Sequence, residues 1–295
     1  MITDEIDIKL VEQVANNYFQ APVFVERVKT GVSTYVYRVV YEGKSIYLRV
    51  LPENTSFAIE AKAHSTMLNL GVNVPIPIYL EHKNDLLGKS IMLTSEISGQ
   101  CIDRIDRYDS DTADVLFTAG KQLAIINSIR VDGFSWINGD INDVFVGEKQ
   151  NFYDYYYEKL HSDIDLLQDY GFNIGEIKTA VDKAYTILET DTAYLAHGDF
   201  DNSHIFYKDG CYTGIIDFGE IRGSHRLYDL GHYKLHDAIG GFSSLLEGYK
   251  SICAVTDEDV ERIDYLALFV GLGRSKYQHY RNLIQKQLAV VSQYK

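Results

Sequence analysis

Two short β runs meet at Asp209-Gly210. The stretch from His204 to Phe218 reads HIFYKDGCYTGIIDF, and an Asp-Gly pair between strand-like runs is the signature of a tight hairpin turn. The turn constrains what surrounds it. Pairing the strand after His204 with the strand before Asp217 sets both side chains at the open end of the hairpin. Asp199 sits on the loop that enters it. Asp199, His204 and Asp217 are therefore expected at one end, above the apolar Ile205, Ile215 and Ile216. Two carboxylates and one further ligand over an apolar base suit a metal ion and a general base. A polar hairpin rim held by ordinary hydrogen bonds is the plainer reading.

The hairpin lies in a chain whose pattern changes once. Thr3-Asp4 can cap a first helix carrying Ile6, Leu10, Val11 and Val14 at helical spacing. Two β-rich runs follow, FVERVKTGVSTYVYRVVY and KSIYLRVL, joined at Glu42-Gly43 by another hairpin turn. A helix from Ser56 to Leu70 stops at Gly71. Pro75 and Pro77 then force extended backbone, and SIMLTSEI (90–97) reads as a strand. Beyond Ser98-Gly99 the spacing predicts helices over Ala113–Ile129, Tyr153–Asp169 and Ile177–Leu188. Helices return near Tyr228, and Thr256 with Asp259 forms a capping box for one of them. The expected class is α+β in two lobes: a β-rich lobe over 1–97 and a mainly helical lobe over 98–295.

Composition narrows the setting. At 295 residues and 46% apolar, the chain can bury a core without staples. Cys101, Cys211 and Cys253 are scattered with no CxxC pair, the pattern of free thiols in a reducing compartment. The acidic start MITDEIDIKL lacks the basic and apolar regions of a signal peptide. No apolar run reaches the ~18 residues of a membrane span. A cytoplasmic protein without a membrane partner is expected. Net charge is −14; residues 1–97 carry 9 Lys+Arg against 11 Asp+Glu, and residues 98–295 carry 19 against 31. An acidic field of that kind repels nucleic acid and attracts cationic small molecules, although solubility alone also explains it.

HGD at 197–199 followed by DFG at 217–219 resembles the catalytic and metal segments of kinase-fold phosphotransferases. The order of the lobes is similar too. With HGD in place of HRD, and RGSHRLYDLGH downstream, the chain resembles the aminoglycoside phosphotransferase group, from residue 24 to residue 235. The resemblance implies a protein-kinase-like fold with ATP or GTP and Mg2+ in a cleft. It implies that Asp199 orients an acceptor hydroxyl and takes its proton, and that Asp217 holds magnesium. His204 stands where the group has a magnesium-binding asparagine. Two roles stay open to it: the second metal ligand, or a hydrogen-bond partner of Asp199 or Asp217. Gly31, Ser33 and Thr34 match a loop over the phosphates. Arg49 matches the phosphate-contacting lysine, with Glu60 on the next helix as its partner. LTSEISG (93–99) resembles the hinge, where backbone groups of Ser95 and Ile97 hold the base and Thr94 backs it.

Asp201, Glu220 and Asp237 are candidates for binding the acceptor. The tyrosine-rich NFYDYYYEKLHSD helix, with Asp154, Glu158 and Asp163, could also line that site, although tyrosines at this spacing more often pack. Asn127 is read as core, His225 and Arg226 as a structural turn, and Asp229 as a hydrogen-bond partner of the catalytic-loop backbone. The expected acceptor is a small polycation, an aminoglycoside first. Alternatives are a macrolide, sugar or amino alcohol kinase, and a nucleotide-binding module without turnover.

Overall fold

The computed structural model describes residues 6–29, 33–105, 108–137 and 144–294, with the backbone alone at 157–159 and 161–162. Contacts group the described residues into two units: those up to Ser98 together with Gly214–Gly219, and the other described residues. The short DFG-bearing segment thus packs with the first unit, far from it in sequence.

In the first unit, α1 (Ile8–Phe19) opens at Asp7, whose side chain accepts from the Lys9 N–H. The cap is Asp7 rather than Thr3-Asp4, which lie outside the described residues. Strands β1 (Phe24–Val28), β2 (Tyr35–Tyr41) and β3 (Lys44–Val50), helix α2 (Ala58–Asn69), and strands β4 (Pro77–Glu81) and β5 (Ile91–Ser95) follow. The sheet order is β1-β2-β3-β5-β4, antiparallel throughout. Glu42 and Gly43 take φ of 49° and 76°, the two positive values that a two-residue turn matching the sheet's twist requires. Alternate side chains of β2 and β3, such as Tyr37, Val39, Leu48 and Val50, pack against Val11, Val14 and Ala15 of α1 as one core.

The second unit is less helical than the sequence suggests. It begins with β6 (Gln100–Cys101) and α3 (Ser110–Ile126), and continues with β7 (Arg130–Asp132), β8 (Phe134–Ile137), β9 (Phe145–Lys149), α4 (Phe152–Gln168) and α5 (Ile174–Leu188). Then come β10 (Ala193–Ala196), β11 (Ile205–Lys208), β12 (Cys211–Ile215), β13 (Arg222–Ser224), α6 (Tyr228–His236), α7 (Phe242–Lys250), α8 (Asp257–Leu272) and α9 (Gln278–Val291). Strands β10, β13, β8, β9 and β7 close, in that order, into a small barrel that the spacing of the sequence did not reveal. Asp209 and Gly210, at φ 50° and 75°, make the expected hairpin between β11 and β12. Helices α3 and α7 meet through glycines on both sides: a Cβ at Gly120 would overlap the Leu245 carbonyl, and one at Gly248 the Phe117 carbonyl. Helix α8 carries the Thr256–Asp259 capping box. No helix among the described residues is long and apolar enough to cross a membrane. The architecture is α+β, a β-rich first unit and a largely helical second one.

Candidate active site

In the first unit a buried ion pair organises the candidate nucleotide residues. Arg49 on β3 contacts Glu60 on α2, and their side chains are only 10% and 8% exposed. Arg49 Nη2 also lies 3.6 Å from Asp217 Oδ1. Burial opposes the guanidinium charge, but the Glu60 and Asp217 carboxylates hold its pKa above the ordinary value. One turn along α2, His64 meets the edge of the buried Phe218 ring at 5.2 Å between centroids. Asp217 takes φ 66°, a left-handed conformation that aspartate tolerates better than most residues. The fold thus brings Arg49 and Glu60 together as anticipated, and Asp217 joins them through Arg49, a contact the sequence did not suggest.

The other expectations in this unit fare differently. Thr94 is buried in β5. The Ser95 N–H donates to the Ile76 carbonyl at 2.9 Å, and Ser95 Oγ accepts from the Ile76 N–H at 2.8 Å. That Ser95 N–H is therefore already bonded; the neighbouring Ile97 is half-buried. Ser33 is exposed and Thr34 buried at the start of β2. Gly31 lies outside the described residues.

In the second unit the loop after β10 is fixed from beneath. Asp229, fully buried on α6, accepts from the His197 N–H at 2.8 Å and the Gly198 N–H at 3.0 Å. Asn127 Nδ2 donates to the same carboxylate at 2.8 Å and to the Leu195 carbonyl at 3.0 Å. The resemblance anticipated Asp229 in this role; Asn127, read as plain core, proves to be part of the tether. Gly198 has φ 87°, and a Cβ there would overlap the Glu220 carbonyl, so the middle residue of HGD must be glycine for two reasons at once.

The loop presents Asp199 with its side chain 39% exposed. Oδ1 lies 3.2 Å from His232 Nε2 and 3.3 Å from Arg274 Nη2. Burial would raise its pKa, but the hydrogen bond and charge of His232, with the charges of His204 and Arg274, hold the carboxyl well below the usual range. His232 closes the quoted RGSHRLYDLGH stretch, yet nothing in that stretch assigns it a role; Arg274, 75 positions from Asp199, lies in no motif. His204 Nδ1 is 2.7 Å from the Asp199 carbonyl oxygen; a carbonyl oxygen only accepts, so Nδ1 carries a proton and donates to it.

A neutral ring protonated there keeps its Nε2 lone pair for a metal, and the Asp217 oxygens suit magnesium. Nitrogen is the poorer match for a hard ion. In donor chemistry alone, the Asp217 carboxylate is thus the better match for magnesium and the His204 imidazole the poorer. Among the described residues, no group of three or more His, Cys, Asp or Glu side chains is gathered to hold an ion.

The acids nominated for the acceptor already have partners. Asp237 accepts from the Gly241 and Phe242 N–H groups at 2.9 and 2.8 Å and so opens α7. Asp201 Oδ1 accepts from the Ser203 N–H at 2.8 Å and from its hydroxyl at 2.5 Å. Glu220 is 44% exposed and 2.8 Å from Arg222 Nη2. Arg222 in turn stacks on Trp136, 4.4 Å from the ring centroid, and donates to Tyr155 Oη at 3.2 Å. Of the helix tyrosines, Tyr156 is buried against Phe152 and Phe269, which is packing. Arg226 pairs with Asp259 at 2.8 Å, as befits a structural turn.

Comparison with known proteins gives the following. A family model described as "Phosphotransferase enzyme family" matches residues 25–249. No curated protein matches the sequence. Among solved structures, a thermostable variant of aminoglycoside phosphotransferase APH(4)-Ia in ternary complex with ADP and hygromycin B superposes with a TM-score of 0.63 at 15% identity, over 96% of this chain and 94% of that one. The "putative fructosamine-3-kinase" of Thermobifida fusca YX-ER1 gives 0.66 at 17% identity, over 96% and 98%. At such identities the likeness establishes the fold.

Proposed function

This chain belongs to the phosphotransferase enzyme family, and from that premise we propose that it moves the γ-phosphoryl group of ATP or GTP to a hydroxyl of a small acceptor, with Asp199 as the base. The observation that carries this reading is the Asp199 carboxylate itself: half-exposed, on a loop anchored at Asp229, and kept ionised by cations. A carboxylate so acidic is a weak base. It suits a transfer in which the acceptor oxygen bonds to phosphorus while the bridging oxygen leaves with its electron pair, and the hydroxyl proton passes to Asp199 late. Asp199 then contributes mainly alignment of the attacking oxygen. Arg49, held by Glu60, would meet the phosphates. Ser33 and Thr34 with Gly31 would cover them, and the Ile97 backbone with Thr94 would receive the base.

Magnesium, when bound, would neutralise phosphate charge, and Asp217 with His204 would hold it. A protonated imidazole does not bind a metal. His204→Asn is therefore expected to retain turnover and to move the acid limb of its pH profile to lower pH. An acid limb that stays where it is would make His204 a hydrogen-bond partner of the loop only.

For the acceptor, the acidic balance of residues 98–295 supports an aminoglycoside-like polycation, as does the hygromycin B bound by a structural neighbour. A second reading, a neutral sugar or polyol hydroxyl, is favoured by the Arg274 guanidinium beside Asp199 and by the prior engagement of Asp201, Glu220 and Asp237. A transfer screen with ATP and GTP against aminoglycosides, macrolides, sugars and amino alcohols separates them. Product formation with cationic acceptors alone is expected on the first reading. Transfer to none of them, with nucleotide bound, would leave a binding module.

A further inference from the structure

We propose that Arg274, in the turn between α8 and α9, is a positioning residue for phosphoryl transfer: together with His232 it clamps one oxygen of Asp199 so that the other faces the acceptor hydroxyl. The inference rests on the reading of Asp199 as the base. It goes beyond the family match, which ends at residue 249.

The two contacts fall on the same atom. His232 Nε2 and Arg274 Nη2 lie 3.2 and 3.3 Å from Asp199 Oδ1. An aspartate carboxylate turns about a broad, roughly two-fold torsion, so a carboxylate held at neither oxygen would sample orientations that misdirect it. A hydrogen bond from Arg274 and the close approach of His232 at Oδ1 restrict that freedom and assign Oδ2 to the acceptor side.

Both side chains are themselves braced. His232 is buried, and its Nδ1 lies 3.0 Å from the Phe200 carbonyl oxygen, which fixes the ring plane. His236 stacks on His232 at 4.3 Å between centroids, and His236 Nε2 is 2.8 Å from Tyr280 Oη. The Arg274 guanidinium lies over that same Tyr280 ring, 5.6 Å from its centroid. The contacts close a ring through Asp199, His232, His236, Tyr280 and Arg274, so α6 and α9 both help to set the base. Arg274 is 25% exposed and Asp199 39%. A pair so shielded is screened less than one on the open surface. Reacting atoms must align within roughly 3–3.5 Å, and a clamp of this kind supplies that alignment.

The test uses the full chain and reads magnesium-ATP turnover with water and with hygromycin B as acceptors. Arg274→Ala is expected to lower kcat by about tenfold or more with nucleotide KM unchanged, as a misaligned base requires. Arg274→Lys should recover part of the loss, and added guanidinium ion should raise the turnover of Arg274→Ala but not of the wild type. Melting curves establish that the variants are folded. Unaltered kcat in folded Arg274→Ala overturns the proposal, as does a loss that neither lysine nor guanidinium restores. Asp199→Asn, run in parallel, separates the two readings. Wild-type turnover in Asp199→Asn removes the base assignment, whereas an inactive Asp199→Asn beside a fully active Arg274→Ala removes the clamp alone.

Discussion

Replacing Asp199 with alanine is expected to lower turnover by about 10²–10⁴-fold, the usual worth of a positioned proton acceptor, while nucleotide still binds. The reason is the division of labour along the chain. The candidate nucleotide residues Arg49 and Glu60 form a buried pair, with Asp217 against Arg49. The loss should therefore fall on kcat, with nucleotide KM or a direct binding constant as the control. Turnover near the wild-type rate would remove Asp199 from the chemistry. The same substitution has a signature in stability. A carboxylate held below its ordinary pKa stabilises the folded state above its unfolded value, about 3.9, and that contribution disappears as pH falls through the folded one. The wild type should thus lose stability below about pH 4 by a component that Asp199→Ala lacks. Parallel melting curves across pH 2–7 would show whether the two proteins differ there.

What the sequence revealed follows the range of the forces involved. Asp209-Gly210 and Glu42-Gly43 were legible because a two-residue turn is settled by its own φ angles. The Thr256–Asp259 box was legible because both of its bonds close within one helical turn. The Arg49–Glu60 pair followed from a resemblance and was then found buried. By contrast β7, β8 and β13 have only three or four residues each, too short for a period to show, and they exist because partners from elsewhere complete the barrel. The contacts of His232 and Arg274 were hidden for a related reason. His232 ends the RGSHRLYDLGH stretch but nothing there shows what it touches, Arg274 has no motif at all, and only the packing of α6 and of the turn after α8 carries them to Asp199. The acidity of the second part says less than it suggests: summed charge favours a cation, yet Asp199 stands beside Arg274 and the nominated acids have partners of their own. Net charge describes the far field of a protein and says little about the last few ångströms.

The largest loss of stability is expected at Asp229. Its buried carboxylate is the shared acceptor for the His197 N–H, the Gly198 N–H and Asn127 Nδ2. Asp229→Ala leaves three donors in a site with no water-exposed surface. Unsatisfied groups next to a charged partner cost about 1–3 kcal/mol each, and such losses overlap, so about 3–5 kcal/mol in a denaturant titration is a reasonable expectation. Asp229→Asn should cost less, since one amide oxygen still accepts, but its NH2 group then faces a donor. A loss below about 1 kcal/mol in Asp229→Ala would mean that the loop is held by other means. Asp237 is the natural comparison, because it too bonds two backbone N–H groups. It does so at a helix start and is only half-buried, where water can take over, and Asp237→Ala should cost about 1 kcal/mol, as for an ordinary cap. The two residues also separate in activity. Asp237→Ala should leave kcat near its wild-type value, because α7 carries none of the groups that touch Asp199. Asp229→Ala should lower kcat even in the fraction that stays folded, because the backbone it releases is the one from which Asp199 projects.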